Sequence, residues 1–394
     1  MQYRTDNKTG NNLSILGFGC MRFSKKNGKI DIGKAETLIT AAINNGVNYF
    51  DTAYSYEGSE DVLGQVLERN DLRNKVFIAT KLRLSKCQRY DDFDSMLEVQ
   101  LERLRTDYID YYLLHNLSSM ASWKRLCDIG IEKWIAKKKE LGQIRSMGFS
   151  FHGTLDEFLE VLEAYQWDLC YIQYNYANEN NQAGKTGLKR ASEKGLPIFI
   201  MEPLLGGRLA HGLPRKALDR IAKSSQRGTP AAWALRWLWN QKDVTVVMSG
   251  MNEIEQLSEN LRTAESAVAD MLTGGELDEY AEVVSEFRKY YKIPCTECNY
   301  CMPCPQKVNI PACLTAYNLS YAIGWWSGVK QYVVSTAATD YDNYFGADKC
   351  TNCLKCKKQC PQQIEIPRAI KMCAKRLEFF GFKAAMTLYV MLKG

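Results

Sequence analysis

An alternation of strand-like and helix-like segments narrows the fold of this chain more than any other feature. Short apolar runs recur at Ile15–Gly19, Val47–Phe50, Val76–Ala79, Tyr108–Leu114, Ile144–Phe149, Leu169–Tyr174, Pro197–Met201 and Val244–Met248. Helix-period segments lie between them at Lys34–Asn45, Ser59–Arg69, Phe93–Leu104, Trp123–Leu141, Leu155–Tyr165 and Gly187–Lys194, and Pro214–Trp239 has room for two helices. Strand-helix units at roughly thirty-residue spacing imply parallel strands. Eight such units match a closed (β/α)8 TIM barrel better than an open doubly wound sheet. The open alternative also lacks its phosphate turn, because Arg22 stands where Gly17 and Gly19 would need a third glycine. Ahead of the barrel, the turn signal Asn7-Lys8-Thr9-Gly10 between apolar flanks predicts a small hairpin. Within the Ser59–Arg69 segment, Ser59 is the expected cap and Val62, Leu63, Val66 and Leu67 the buried stripe.

The cysteines divide the chain. Only Cys20, Cys87, Cys127 and Cys170 precede residue 290, and the other ten of the 14 lie between Cys295 and Cys373. The expected organisation is a barrel over residues 1–290 followed by a small, mainly helical cysteine-rich domain over residues 291–394. Residues 1–12 are polar and do not read as a secretory leader, so a cytoplasmic location is expected. In that setting such cysteines point to metal rather than disulfides. The net charge of +6 is spread without a block of basic residues, which gives nucleic-acid binding no support. No 18-residue apolar run is present to span a membrane, and the stretch from Phe379 to Leu392 reads as a docked terminal helix.

In a barrel of this kind the active site gathers where strands end at the C-terminal face. Asp51 follows the second run, Lys81 the third and His115 the fourth, with Tyr56 on the loop after the second. An acid, a phenol, an amine and an imidazole on one rim are the parts of a proton-transfer site. Lys81, paired with Asp51, would stabilise a phenolate and lower the pKa of Tyr56. Tyr56 could then protonate a carbonyl oxygen as hydride reaches its carbon, with His115 orienting that oxygen.

These four residues in this order resemble the tetrad of the aldo-keto reductases. The resemblance covers about residues 3–270. It extends to Asp51-Thr52-Ala53 with Tyr56 and Gly58-Ser59-Glu60, to Gly148-Phe149-Ser150, to Gln173 in Ile172-Gln173-Tyr174-Asn175, and to Glu259-Asn260. It implies reduction of a carbonyl, or oxidation of the matching alcohol, with Tyr56 as general acid and NADP or NAD as cofactor. Ser150 and Gln173 would hold the nicotinamide, and Asn260 would face the adenine. The turn containing Gly206, Gly207 and Arg208 would lie under the pyrophosphate, with Ser249, Gly250 and Gln256 also along the nucleotide. Two departures from the family pattern stand out. Phe151 and His152 follow Ser150 where asparagine is common, and Gly250 and Gln256, beside Glu253 and Glu255, replace the basic pair that grips a 2′-phosphate. NADPH therefore loses its usual advantage over NADH, with Arg262 a candidate substitute.

The tail carries a second signature. Cys295, Cys298, Cys301 and Cys304 precede Pro305, and Cys350, Cys353, Cys356 and Cys360 precede Pro361. The second run has the C-x2-C-x2-C-x3-C-P spacing of bacterial ferredoxins. Zinc sites usually pair two separated Cys-x-x-Cys knuckles, so triple runs favour iron-sulfur. By resemblance to two-cluster ferredoxins, the fourth cysteine of each run serves the other cluster. One 4Fe-4S cluster would then take Cys295, Cys298, Cys301 and Cys360, and the other Cys350, Cys353, Cys356 and Cys304. Cys313 and Cys373 read as packing thiols, and Trp325, Trp326, Tyr332 and Tyr344 as core or interface aromatics.

A barrel of this family joined to a ferredoxin-like domain resembles a subset of the family found in anaerobes. The first functional reading is an NAD(P)H-dependent oxidoreductase acting on a small carbonyl compound or alcohol. The alternative is an electron-transfer or redox-sensing protein whose barrel only binds nucleotide and whose clusters serve a partner such as a ferredoxin. Hydride carries two electrons and each cluster one, so direct coupling calls for a splitter such as a flavin, for which no residue pattern stands out.

Overall fold

In a computed structural model, described for residues 1–226, 228–336, 345–379 and 382, eight parallel strands close into a barrel. They are β1 (Leu16–Gly19), β2 (Tyr49–Asp51), β3 (Phe77–Arg83), β4 (Ile109–His115), β5 (Ile144–Phe151), β6 (Leu169–Gln173), β7 (Ile198–Met201) and β8 (Val246–Ser249). Each pairs with its sequence neighbour, and β8 returns to β1 with Ser249 opposite Phe18. All eight expected runs are barrel strands. The hairpin is present as well, with Tyr3–Thr5 antiparallel to Asn12–Ser14.

The helices follow the expected periodicities with local differences. Trp123–Leu141 is two helices, Met120–Asp128 and Ile131–Glu140, because Gly130 adopts φ 92° between them. Ser59 does not cap its helix. Gly58, at φ 73°, is the cap, and the Ser59 hydroxyl instead donates to the Cys20 carbonyl at 2.9 Å. The segment Pro214–Trp239 resolves into Arg215–Lys223 and Pro230–Trp239.

The chain divides into two units. The first joins Met1–Leu204 with Ala231–Thr273, and the second joins Leu205–Pro230 with the chain from Gly274 on. The division is discontinuous, whereas the cysteine distribution suggested a single cut at residue 290. The helix Gly274–Tyr290 and the excursion from Leu205 belong with the cysteine-rich part.

The interior of the barrel is filled by Leu13, Tyr49, Ala79, Tyr111, Leu113, Leu169, Tyr171, Phe199, Val246 and Met248. Side chains alternate along a strand, so each of these marks which face of its strand points inward. The second unit has its own core, in which Cys313, Leu314, Tyr332, Ile370 and Cys373 are fully buried. Cys373 Sγ donates to the Cys313 carbonyl at 3.1 Å, in keeping with packing thiols. Trp325 donates to the Arg376 carbonyl at 2.8 Å, whereas Trp326 is 72% exposed and so is not a core residue. Tyr344 and nearly all of the expected terminal helix lie outside the described residues. Among the described residues, no helix is long and apolar enough to cross a membrane.

Candidate functional site

The inward face of each strand leads directly to the site. Two residues beyond interior Tyr49 is Asp51, and two beyond Ala79 is Lys81. By the same step Leu113 leads to His115, Gly148 to Ser150 and Tyr171 to Gln173. The five residues Asp51, Lys81, His115, Ser150 and Gln173 thus form the layer above the core on adjacent strands β2 to β6. Gly148 is small for a physical reason. A Cβ there would sit 2.4 Å from the Leu169 carbonyl oxygen, so the strand carrying Ser150 can approach β6 only without a side chain.

Lys81 and Asp51 form a buried ion pair, with Nζ 2.6 Å from Oδ1 and the side chains 1% and 9% exposed. Lys81 also donates to the Thr52 carbonyl at 2.7 Å, and its Nζ lies 5.0 Å from the centroid of the Tyr56 ring. Tyr56 and His115 meet edge to face, with centroids 6.0 Å apart and planes at 89°. The structure therefore brings Tyr56, Lys81, Asp51 and His115 together.

Electrostatics at the site differ from the sequence expectation in one respect. Burial pushes the Tyr56 phenol well above its ordinary value of 10, and the nearby Asp51, Cys20 and Glu202 push it the same way. Burial and these neighbours outweigh the Lys81 ammonium, so the phenol is raised rather than lowered as anticipated. Burial also raises the Asp51 carboxyl, against the opposing pull of Lys81. His115 is driven far below 6.5 by burial and then by Lys81, His152 and Arg83, which makes it a neutral imidazole at physiological pH. His152 is held down to about 4 by burial, and its Nδ1 lies 3.1 Å from Gln182 Oε1.

The expected nucleotide contacts fall into two groups. Ser150 is buried, and its hydroxyl accepts from the Asn116 amide at 2.9 Å. Gln173 is fully buried. Its Oε1 accepts from Asn181 at 3.1 Å, while its Nε2 has no partner among the described residues, an unsatisfied donor of the kind a bound carboxamide would answer. Asn260 donates to Ser249 Oγ at 3.1 Å, and Gln256 Oε1 accepts from the Asn252 amide at 2.9 Å. Gly250 has Arg22 as its neighbour, since a Cβ built there would lie 3.7 Å from Arg22 Cβ and Cδ. Glu253 is paired with Lys34 at 2.5 Å, which neutralises part of the acidic neighbourhood. Arg262 is exposed on Ile254–Glu265. Gly206, Gly207 and Arg208 belong to the second unit. There, Gly206 approaches the Thr296 carbonyl so closely that a Cβ would meet its oxygen at 2.4 Å. Arg208 pairs with Glu297 and donates to Thr315 Oγ1 at 2.7 Å. This turn is thus built against the first cysteine loop.

Among the described residues, two hollows of the second unit sort the cysteines by their linings. One is lined by Cys295, Cys298, Cys301 and Cys360. The other is lined by Cys304, Cys350, Cys353 and Cys356. Each cavity therefore takes three cysteines from one run and the last cysteine of the other. Ile310 and Ile366, at the starts of Ile310–Ala322 and Ile366–Leu377, line both. Four thiols around an apolar hollow suit a group bound through sulfur.

Sequence reasoning missed Tyr171, whose hydroxyl donates to the Tyr49 hydroxyl at 2.8 Å and whose ring centroid lies 5.5 Å from Lys81 Nζ. Its place two residues before Gln173 was the available signal.

The model of the aldo/keto reductase family matches residues 15–273, and that of the 4Fe-4S dicluster domain matches residues 294–366. The chain is 29% identical over 257 residues to an aldo-keto reductase of Mycolicibacterium vanbaalenii, covering 64% of this chain and 82% of the relative. It is 25% identical over 312 residues to L-galactose dehydrogenase of Arabidopsis thaliana, covering 72% and 95%. Two solved structures share the fold. An aldo-keto reductase from Bacillus halodurans in its holo form matches with a TM-score of 0.60 at 24% identity, covering 72% of this chain and 96% of that one. One from Klebsiella pneumoniae in complex with NADPH matches with a TM-score of 0.59 at 22% identity, covering 72% and 95%.

Proposed function

Because the chain belongs to the aldo/keto reductase family through residues 15–273, we propose that its barrel reduces the carbonyl group of a small molecule, with Tyr56 as the proton donor. The observation that carries this reading is the convergence of Tyr56, the buried Lys81–Asp51 pair and neutral His115 at one end of the barrel. A nicotinamide dinucleotide, when bound, supplies hydride to the carbonyl carbon. Ser150 and Gln173 would hold its carboxamide, the unsatisfied Gln173 Nε2 gaining an acceptor, and Ser249, Gly250, Gln256 and Asn260 would line the adenine side.

The chain's own groups account for the proton. Tyr56 is protonated at neutral pH, so the proton is in place before reaction. As negative charge grows on the substrate oxygen, that oxygen becomes the stronger base and takes the phenolic proton. The phenolate left behind faces the Lys81 ammonium, which Asp51 and the Thr52 carbonyl hold in position. Neutral His115 can donate one hydrogen bond to the same oxygen without competing as an acid. Hydride and proton together convert the carbonyl to an alcohol.

The second unit would carry two 4Fe-4S clusters, one on Cys295, Cys298, Cys301 and Cys360 and the other on Cys304, Cys350, Cys353 and Cys356, supplying single-electron chemistry. The two cysteine-lined cavities support this assignment. They also favour a second reading, in which the protein exchanges electrons with a partner such as a ferredoxin and the barrel only binds nucleotide.

Tyr56→Phe separates the two readings. With NADPH and NADH supplied in turn, carbonyl reduction is expected to fall by a thousandfold or more, while chemical reduction of the clusters is unchanged. Full carbonyl turnover by this variant refutes the first reading.

A further inference from the structure

Gln173 ends β6 on the inward face of the barrel, and it is fully buried. Its Oε1 accepts from Asn181 Nδ2 at 3.1 Å, whereas its Nε2 has no partner among the described residues. A primary amide carries its hydrogens on one prong and its lone pairs on the other, and a half turn exchanges them. The group that engages one prong therefore decides what the other presents. We propose that Asn181 is a positioning residue that fixes the Gln173 amide with its N–H prong toward the nicotinamide, so that this chain reads the carbonyl oxygen of the carboxamide rather than its amino group.

The loop that carries Asn181 is built to hold one position. It leaves β6 at Tyr174 and runs to the helix Gly184–Glu193. Asn175 ties down its start: Oδ1 accepts from the Ala177 and Asn178 amides at 3.2 and 3.1 Å, and Nδ2 donates to the Glu202 carbonyl at 3.1 Å. The Lys185 amide closes its far end by donating to the Glu179 carbonyl at 2.7 Å. Gly184 adopts φ 54° there, where a Cβ would meet the same carbonyl oxygen at 2.7 Å. Next to Asn181, Gln182 is buried and its Oε1 lies 3.1 Å from His152 Nδ1. The loop is thus fastened just beyond the ends of β5, β6 and β7. A half turn of Gln173 alone would set its Nε2 against Asn181 Nδ2, donor facing donor, and lose a buried hydrogen bond. Asn181 therefore holds Nε2 available for a ligand, and the carbonyl oxygen of a carboxamide is the acceptor that suits it.

The inference rests on the reading of the barrel as a nicotinamide site, and the experiment keeps the two apart. Binding to the whole protein is measured by calorimetry, so nothing depends on turnover. The probes are NADP⁺, its 3-acetylpyridine analogue, which keeps the carbonyl but lacks the amino group, and 2′,5′-ADP, which lacks the nicotinamide; NAD⁺, its analogue and AMP form a parallel set. In Asn181→Asp the new carboxylate can only accept, so Gln173 turns its Nε2 to the loop and its Oε1 to the ligand. A carboxamide can answer with its amino group and an acetyl group cannot. The ratio of the analogue's Kd to that of the natural dinucleotide is expected to rise about tenfold over wild type, the scale of a buried acceptor left unanswered. The added charge acts on both dinucleotides alike and cancels in the ratio. Asn181→Ala frees the Gln173 amide, and it is expected to weaken both dinucleotides about threefold while the ratio stays within about twofold. The adenine fragments are expected to bind both variants within about twofold of wild type, which a distorted loop would not allow. An unchanged ratio in Asn181→Asp overturns the proposal, as does equal weakening of the adenine fragments. If the wild type binds each dinucleotide no better than its adenine fragment, the nicotinamide reading fails and takes this inference with it. If the wild type prefers the dinucleotide and the ratio is unmoved, only the role of Asn181 falls.

Discussion

Replacement of Lys81 by methionine separates what the buried ion pair does for stability from what it does for chemistry. Both partners are nearly sealed from water, at 1% and 9% exposure, so the pair is not a surface bridge worth a fraction of a kcal/mol. Methionine has a similar length and fills the same space. The loss is then mainly electrostatic, since Asp51 is left charged or must take up a proton at neutral pH. Breaking a buried pair from one side costs about 3–5 kcal/mol. In the double variant Asp51→Asn/Lys81→Met no charge is stranded, and most of that stability is expected to return, because desolvation nearly cancels the attraction in a buried pair. Activity is expected to return in neither, since the cation facing Tyr56 is missing from both. Urea unfolding followed by far-UV circular dichroism measures the cost, with visible absorption reporting the second unit separately so that two transitions are not read as one. There is also a pH signature. The folded carboxyl titrates above its ordinary 3.8, so folding holds this proton more tightly than the unfolded chain does. The contribution of Asp51 is thus most favourable at low pH and falls as pH rises toward the folded value; loss of Lys81 widens that window upward. A loss below about 1 kcal/mol in Lys81→Met at pH 7, or a double variant no more stable than the single, would refute the reasoning.

Other outcomes follow from residues outside the pair. His152, held down to about 4, stays neutral in the folded chain while the unfolded chain protonates near 6.5, so stability falls as pH drops through that interval. His152→Gln is expected to lose about 2 kcal/mol less than wild type between pH 7 and pH 5, with His115 still contributing a slope of the same sign; equal losses in thermal melts count against the assignment. Cys360→Ser is expected to disturb the same cluster as Cys295→Ser. The double variant should therefore keep one full cluster by iron and sulfide analysis, whereas Cys360→Ser with Cys350→Ser should impair both; the reverse result would uncross the ligand sets. Gly148→Ala places a methyl group 2.4 Å from the Leu169 carbonyl, and a cost of about 1–3 kcal/mol in urea unfolding is expected.

The barrel was legible because its signal is repeated: the same apolar run and the same helical stripe recur along the chain. The tetrad was legible for a related reason. In a closed barrel the side-chain period of two and the layered interior decide what stands at the rim, so Tyr49, Ala79 and Leu113 as core residues place Asp51, Lys81 and His115 above them. What could not be read depends on neighbours far away in sequence. Tyr171 reaches Tyr49 across 122 positions, and nothing local to either residue announces the bond. The elevated pKa of Tyr56 is set by how completely the fold dries its surroundings and by the nearby Asp51, Cys20 and Glu202. Arg208 shows the same limit from the other side. The family resemblance implies a turn under the pyrophosphate here, and in the structure Glu297, in the first cysteine loop, pairs with its guanidinium. The cysteine runs combine both cases. Spacing marked them as ligands and the ferredoxin resemblance implied the crossing, while the packing of Ile310–Ala322 against Ile366–Leu377, whose first residues line both hollows, is what brings Cys360 to the first run and Cys304 to the second. The same crossing makes each hollow depend on both loops, so the two cysteine runs are expected to order together when iron and sulfide are supplied.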